Sequence, residues 1–234
     1  MDVKHSITFL FEKDDWKQKY KTMFLLCLIA AIPAIGAVIS SAFTNGYMFV
    51  LTNRKIVKPN VDLPEFNYKK LAITGMKYMG FLIMANVIYS PVYTLAKLAS
   101  SDEKSLAYSL AVFLLYLPML ILADVTAIIF STNLKFETFF KAKKYKHILV
   151  DNLAEYIKFA LTKTGIMAVW ILAIILFIGI CFIPSLINPA FFLLGIVGIF
   201  ASLILIPIIV FVLADLNAQF IRKIYKIKIE ETQG

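Results

Sequence analysis

Residues 165–214 read GIMAVWILAIILFIGICFIPSLINPAFFLLGIVGIFASLILIPIIVFVLA. These fifty residues contain no Lys, Arg, Asp, Glu or His, and their only clearly polar side chains are Ser185, Asn188 and Ser202. A membrane-spanning helix needs about 20 apolar residues, so the run is long enough for two. Pro184 and Pro189 interrupt it near the middle, because proline lacks an N–H and disfavours the helical turn before it. The stretch therefore predicts a tight transmembrane hairpin.

The rest of the chain agrees with a membrane protein. Apolar residues make up 60% and charged ones 17%, and the mean hydropathy is +0.80. The net charge of +9 is better explained by basic cytoplasmic loops than by nucleic acid, since Lys and Arg are retained on that side. Cys27 and Cys181 both lie in apolar runs, so free thiols are expected, with no disulfide and no metal. A charged stretch precedes the first apolar run and no small-residue cleavage site follows, so no cleavable signal peptide is expected.

Outward from the central run, the chain alternates apolar and basic segments. Residues 1–22 mix Phe9, Leu10, Phe11 and Trp16 with five Lys, which suits a segment at headgroup depth. Asp14 or Asp15 is placed to cap a helix beginning at Trp16. Met23–Leu51 is uncharged for 29 residues, long for one crossing and short for two. Pro33 and Gly36 mark a kink or a turn in it. Ala30, Ala34, Ala37 and Ser41 would line one helix face and permit close packing. A basic loop follows, in which Leu63-Pro64-Glu65 predicts the start of a short interfacial helix. Tyr78–Ala96 and Ser105–Ala123 are uncharged for 19 residues each and read as a second pair of spans. In Phe136–Lys163, Tyr145, Ile148, Leu149, Leu153, Tyr156, Ile157 and Leu161 recur at helical spacing, predicting an amphipathic basic helix. Gly195, Gly198 and Ser202 put small residues on one face of the last span.

Leu122-Ala123-Asp124-Val125-Thr126-Ala127 matches Leu213-Ala214-Asp215-Leu216-Asn217-Ala218. Each follows a proline and closes a hairpin, so the chain reads as two parallel copies of one unit. The expected fold is all-α: a single integral membrane domain over 1–234, with an N-terminal unit at 1–62 and repeats at 63–134 and 135–234. Four spans plus a re-entrant hairpin turning at Pro33–Gly36 is the first arrangement, and five spans the second. The hairpin tips carry two basic residues (97–104) and none (184–189), against six in 52–77 and seven in 135–163. Both termini are therefore expected on the cytoplasmic side of the cell membrane.

Asp15-Trp16-Lys17, Gly46-Tyr47, Leu63-Pro64-Glu65 and Thr74-Gly75 resemble an uncharacterised archaeal and bacterial membrane family, domain of unknown function 4013. The resemblance covers the first half best. It implies an integral membrane protein and supplies no activity and no catalytic residues.

For chemistry, Asp124 and Asp215 border spans at matched positions. They suit a cation or proton site, since acids inside a membrane are costly. The preferred reading is structural pairing near the headgroups, with Lys135, Lys223 or the other repeat's basic exit. Asn86 and Asn188 are candidate polar contacts between helices. Lys141, Lys143, Lys144, Lys146, Arg222, Lys223 and Lys226 are candidate contacts to lipid phosphates. No Gly-rich phosphate loop, nucleophile elbow or His-Glu-x-x-His occurs. The expectation is a non-enzymatic protein without cofactor that binds anionic lipid and organises membrane as a homo-oligomer. A small-molecule or ion transporter is the alternative.

Overall fold

A computed structural model describes residues 1–32, 35–59, 61–99, 106–187, 193, 195, 196, 198 and 204–226. Among them all the regular structure is helical, with no strand. Eight α-helices run in order: α1 (Val3–Thr8), α2 (Trp16–Leu28), α3 (Ile35–Val57), α4 (Tyr68–Ala99), α5 (Leu106–Ser131), α6 (Ala142–Lys146), α7 (Leu153–Ile187) and α8 (Leu205–Tyr225). Five of them contain a stretch long and apolar enough to cross a membrane: Ile35–Val57, Tyr68–Pro91, Leu114–Ser131, Leu153–Pro184 and Leu205–Tyr225. The chain is thus a multi-pass helical membrane protein. Both predicted hairpin tips fall at least partly outside the described residues, and so do Pro33, Ala34, Asn188, Ser202 and Lys228.

The long first apolar segment folds back on itself. Helix α2 begins at Trp16 as expected, but its Asp15 makes no capping bond and instead pairs with Lys19 at 3.6 Å. A 3-10 turn, Ile29–Ala31, extends α2. Ile32 is extended, and its carbonyl accepts from the Gly36 N–H at 3.1 Å. A methyl group at Gly36 would overlap the Ile29 carbonyl, so only glycine lets the arms meet this closely. The turn is where Pro33 and Gly36 predict it. Its second arm, α3, is 23 residues, or about 34 Å, long enough to be a crossing in its own right. The two arrangements expected from the sequence therefore merge.

Helices α3 and α8 lie side by side and run the same way. Tyr47 meets Phe211 edge-on at 5.5 Å, and Thr52 Oγ1 donates to the Ala214 carbonyl at 3.1 Å. Helix α4 returns against α3 at a close crossing. A Cβ on Gly46 would overlap the Leu71 carbonyl, and one on Gly75 the Ala42 carbonyl. Tyr47 hydroxyl donates to the Pro64 carbonyl at 3.3 Å, fixing the connecting loop over the same crossing. That loop is not helical, against expectation. Leu63 is buried, and the Pro64 carbonyl is held by Tyr47, so the segment is tied down without helix formation. Helix α5 closes the other side, where Asn53 Nδ2 donates to the Ser131 and Thr132 carbonyls at 2.9 and 3.0 Å. The N-terminus packs at the C-terminal end of α8: the Asp2 N–H donates to Gln219 Oε1 at 2.7 Å.

The predicted amphipathic helix in Phe136–Lys163 is broken. A π turn, His147–Asp151, separates α6 from α7, and Asn152 Nδ2 bonds back to the His147 carbonyl at 2.8 Å. An extra residue in one turn rotates everything after it. Ile148 and Tyr156 are buried, but Leu153, Ile157 and Leu161 turn outward, and Phe159 takes the inward face.

The small-residue stripes also fall differently. Ala30 and Ala37 are exposed on opposite arms of the hairpin. Gly195 and Gly198 face Phe182 and Cys181 of the same chain. Close backbone approach occurs instead at Gly46 and Gly75.

Candidate functional site

Two lysine–aspartate pairs hold helices together near the cores of the bundle. Asp215 on α8 and Lys55 in the last turn of α3 form an ion pair whose side chains are 0% and 1% exposed. The other Asp215 oxygen accepts from Ser6 Oγ at 2.6 Å and from Gln219 Nε2 at 2.8 Å. Lys55 Nζ sits 3.2 Å above the Phe9 ring centroid, so its remaining face meets the ring quadrupole rather than hydrocarbon. Arg222 donates to the Lys55 carbonyl, capping the end of α3. Burying either charge alone costs several kcal/mol, roughly, and the two offset each other only when both stay in place. The pair is closed off by Phe9, itself buried. It joins α1, α3 and α8 at one point.

Asp124 on α5 is engaged by Lys163 of α7 and by the Tyr156 hydroxyl at 3.2 Å. This pair keeps about a fifth of its side-chain surface exposed, 23% for Lys163 and 19% for Asp124. Each matched aspartate thus meets a lysine from another helix, but neither lysine is one that the sequence suggests. Lys223 is taken by Glu155 at 2.6 Å. The two lysines are also not equivalent under the repeat: Lys163 belongs to the entry of the second unit, whereas Lys55 precedes the first. A carboxylate already neutralised by lysine offers little net charge to a passing cation, so both pairs act first as clamps.

The predicted phosphate contacts divide. Lys141, Lys143, Lys146 and Lys226 are exposed. Lys144 is half-buried and donates to Thr132 Oγ1 at 2.8 Å. Burial, then the Lys141 charge, hold its pKa below the ordinary lysine value. Arg222 and Lys223 are committed within the chain. Asn86 is exposed and donates to Leu82 of its own helix at 2.8 Å, so it ties no second helix. Asn217, in contrast, is buried with neither amide atom hydrogen-bonded.

Sequence reasoning passed over Lys69, Lys70 and Lys77 on α4. With Asn67, Ile73 and Leu134 they line a groove of about 410 Å³. Among the described residues no carboxylate lies within ion-pair distance of these three lysines. The signal was present: Lys70, Ile73, Thr74 and Lys77 share a helix face by spacing.

No family model matches the chain, and no curated protein or solved structure matches it significantly.

Proposed function

We propose that this chain is a non-enzymatic protein of the cell membrane that binds anionic lipid at its cytoplasmic end and works as a homo-oligomer. The observation that carries this is a set of lysines at helix ends with no acid partner among the described residues: Lys69 and Lys70 at the start of α4, and Lys141, Lys143 and Lys146 around α6. A lysine near an anionic membrane surface contributes ~1 kcal/mol, so five together favour such lipid strongly. Oligomer formation is supported by α7, whose most apolar 18 residues within Leu153–Pro184 include none buried in the chain itself. Membership of the family resembled above is part of the same proposal.

Native mass spectrometry in mild detergent tests it. The expected result is an oligomer that keeps phosphatidylglycerol in preference to phosphatidylcholine. A lipid-free monomer across detergents and concentrations overturns it.

The orientation has its own test. Asp2 bonds to Gln219, which supports one side for both ends, and the lysines make that side cytoplasmic. Single cysteines at Lys4 and Gln233, with Cys27 and Cys181 replaced, should resist an impermeant thiol reagent in sealed cells, while a cysteine at Lys104 reacts. Labelling at position 4 with protection at 104 would reverse the assignment.

A further inference from the structure

We propose that one anionic phospholipid of the cytoplasmic leaflet lies along α4, its phosphate between Lys69, Lys70 and Lys77 and one acyl chain in the apolar groove that follows. The inference rests on the lipid-binding function proposed above and gives it a site.

Two grooves carry it. The basic one is lined by Lys69, Lys70, Ile73 and Lys77 with Leu134 of the α5 end. The second, of about 190 Å³, lies between α4 and α5 and is lined by Phe81, Met84, Ala85, Ile88, Met119 and Phe140, among others. Lys70, Lys77, Phe81, Met84 and Ile88 follow one another at steps of seven, four, three and four residues, so both grooves open on one face of α4. One helical turn separates Lys77 of the basic groove from Phe81 of the apolar one. From Lys77 to Ile88 the helix rises about 16 Å. That is half of a hydrocarbon core of about 30 Å, the depth of one leaflet.

The wall beside this face is built for the purpose. Leu134 takes a left-handed backbone, φ 57°, which ends α5 and swings the 3-10 turn Phe136–Phe140 against α4. Phe139 stacks on Phe81 with ring centroids 4.5 Å apart, and this anchors the turn. Phe140 is left 66% exposed on the apolar groove. A lysine aliphatic stem lies along apolar surface while its ammonium reaches polar groups. Lys77, set two turns below Lys70, therefore brings a charge to the depth of an ester-linked phosphate rather than to open water. A soluble phosphate would use the lysines and leave the apolar stripe bare. A phospholipid uses both, and charge and length together select it.

The experiment is competitive lipid retention by the full chain, read by native mass spectrometry as the last adduct lost on delipidation. The wild type is expected to hold one phosphatidylglycerol over phosphatidylcholine. Lys69→Gln/Lys70→Gln/Lys77→Gln should weaken that adduct by at least about tenfold. Removing the same charge as Lys141→Gln/Lys143→Gln/Lys146→Gln should weaken this one adduct by less than about twofold, since those lysines line neither groove and attract surface lipid in general. Ala85→Trp, with its melting temperature checked against wild type, should exclude the acyl chain and release the lipid. Glycerol phosphate should not displace it. Equal losses in the two triple variants would leave a diffuse basic surface and sink the site, with lipid binding intact. Full displacement by glycerol phosphate would make it a phosphate site and overturn the lipid. A wild type that retains no anionic lipid would overturn both the site and the proposed function.

Discussion

Asp215→Ala is expected to unfold the protein more readily than any other single charge removal, by about 3–5 kcal/mol. It leaves the Lys55 ammonium, 1% exposed, with only the Phe9 ring for company. Lys55→Met should cost less, because Asp215 would keep its donors Ser6 and Gln219. Replacing both, as Lys55→Met/Asp215→Leu, removes the desolvation of two ions together, and such swaps are often neutral or stabilising. The double variant should therefore recover most of the loss. Thermal melting in detergent checks the order, and a loss of this size corresponds to roughly 6–20 °C in a chain of this length. Asp124→Asn serves as the comparison. Its pair with Lys163 is part-exposed and screened, so the change should cost about 1 kcal/mol or less. If Asp215→Ala melts with wild type, the buried pair is not the clamp that the geometry implies.

The contrast between these two aspartates marks how far the sequence can be read. Their motif, Leu-Ala-Asp, is the same, and from hydropathy both sit at the end of an apolar run. What separates them is Lys55, which sequence reasoning places in a polar loop because Thr52, Asn53, Arg54 and Lys55 end the apolar stretch. The structure carries α3 on to Val57, and a partner 160 positions away makes the charge tolerable inside. No local pattern reports such a partner. The same holds for residues 1–22, which read as interfacial. Ser6 and Phe9 are buried because α8 presents Asp215 and Gln219 to Ser6 and α3 presents Lys55 to Phe9. Crossings are legible in composition, since length and apolarity alone decide whether a helix suits a bilayer. The π turn at His147–Asp151 is not, because helical spacing before and after it looks continuous. The lysine groove lies between. Its face is visible in the spacing of Lys70 and Lys77, but the freedom of those lysines from acids needs three dimensions.

Gly46→Ala and Gly75→Ala should each disrupt the protein out of proportion to one methyl group. At both positions the added Cβ meets backbone, the Leu71 carbonyl in one case and the Ala42 carbonyl in the other. A side chain can rotate away from such a clash, but a helix backbone must move as a unit. Overpacking a close-packed contact costs typically 1–3 kcal/mol, and about 3 or more is expected here because neither partner can yield. In a membrane the penalty is not softened by an apolar drive between helices, since lipid offers the same contacts. Gly80 and Gly165 provide the internal standard, as nothing lies within 4 Å of a Cβ at either. Alanine there should be neutral or should stabilise by up to about 1 kcal/mol, through helix propensity alone. Fluorescence-detected size exclusion and melting of the four variants separate the pairs, and equal behaviour of all four would show that α3 and α4 are not in backbone contact. The crossing also sets where α4 presents Lys70 and Lys77. A partly folded Gly75→Ala protein should therefore hold phosphatidylglycerol less tightly than wild type although every lysine is intact, whereas Gly80→Ala, on the same helix, should hold it as wild type does.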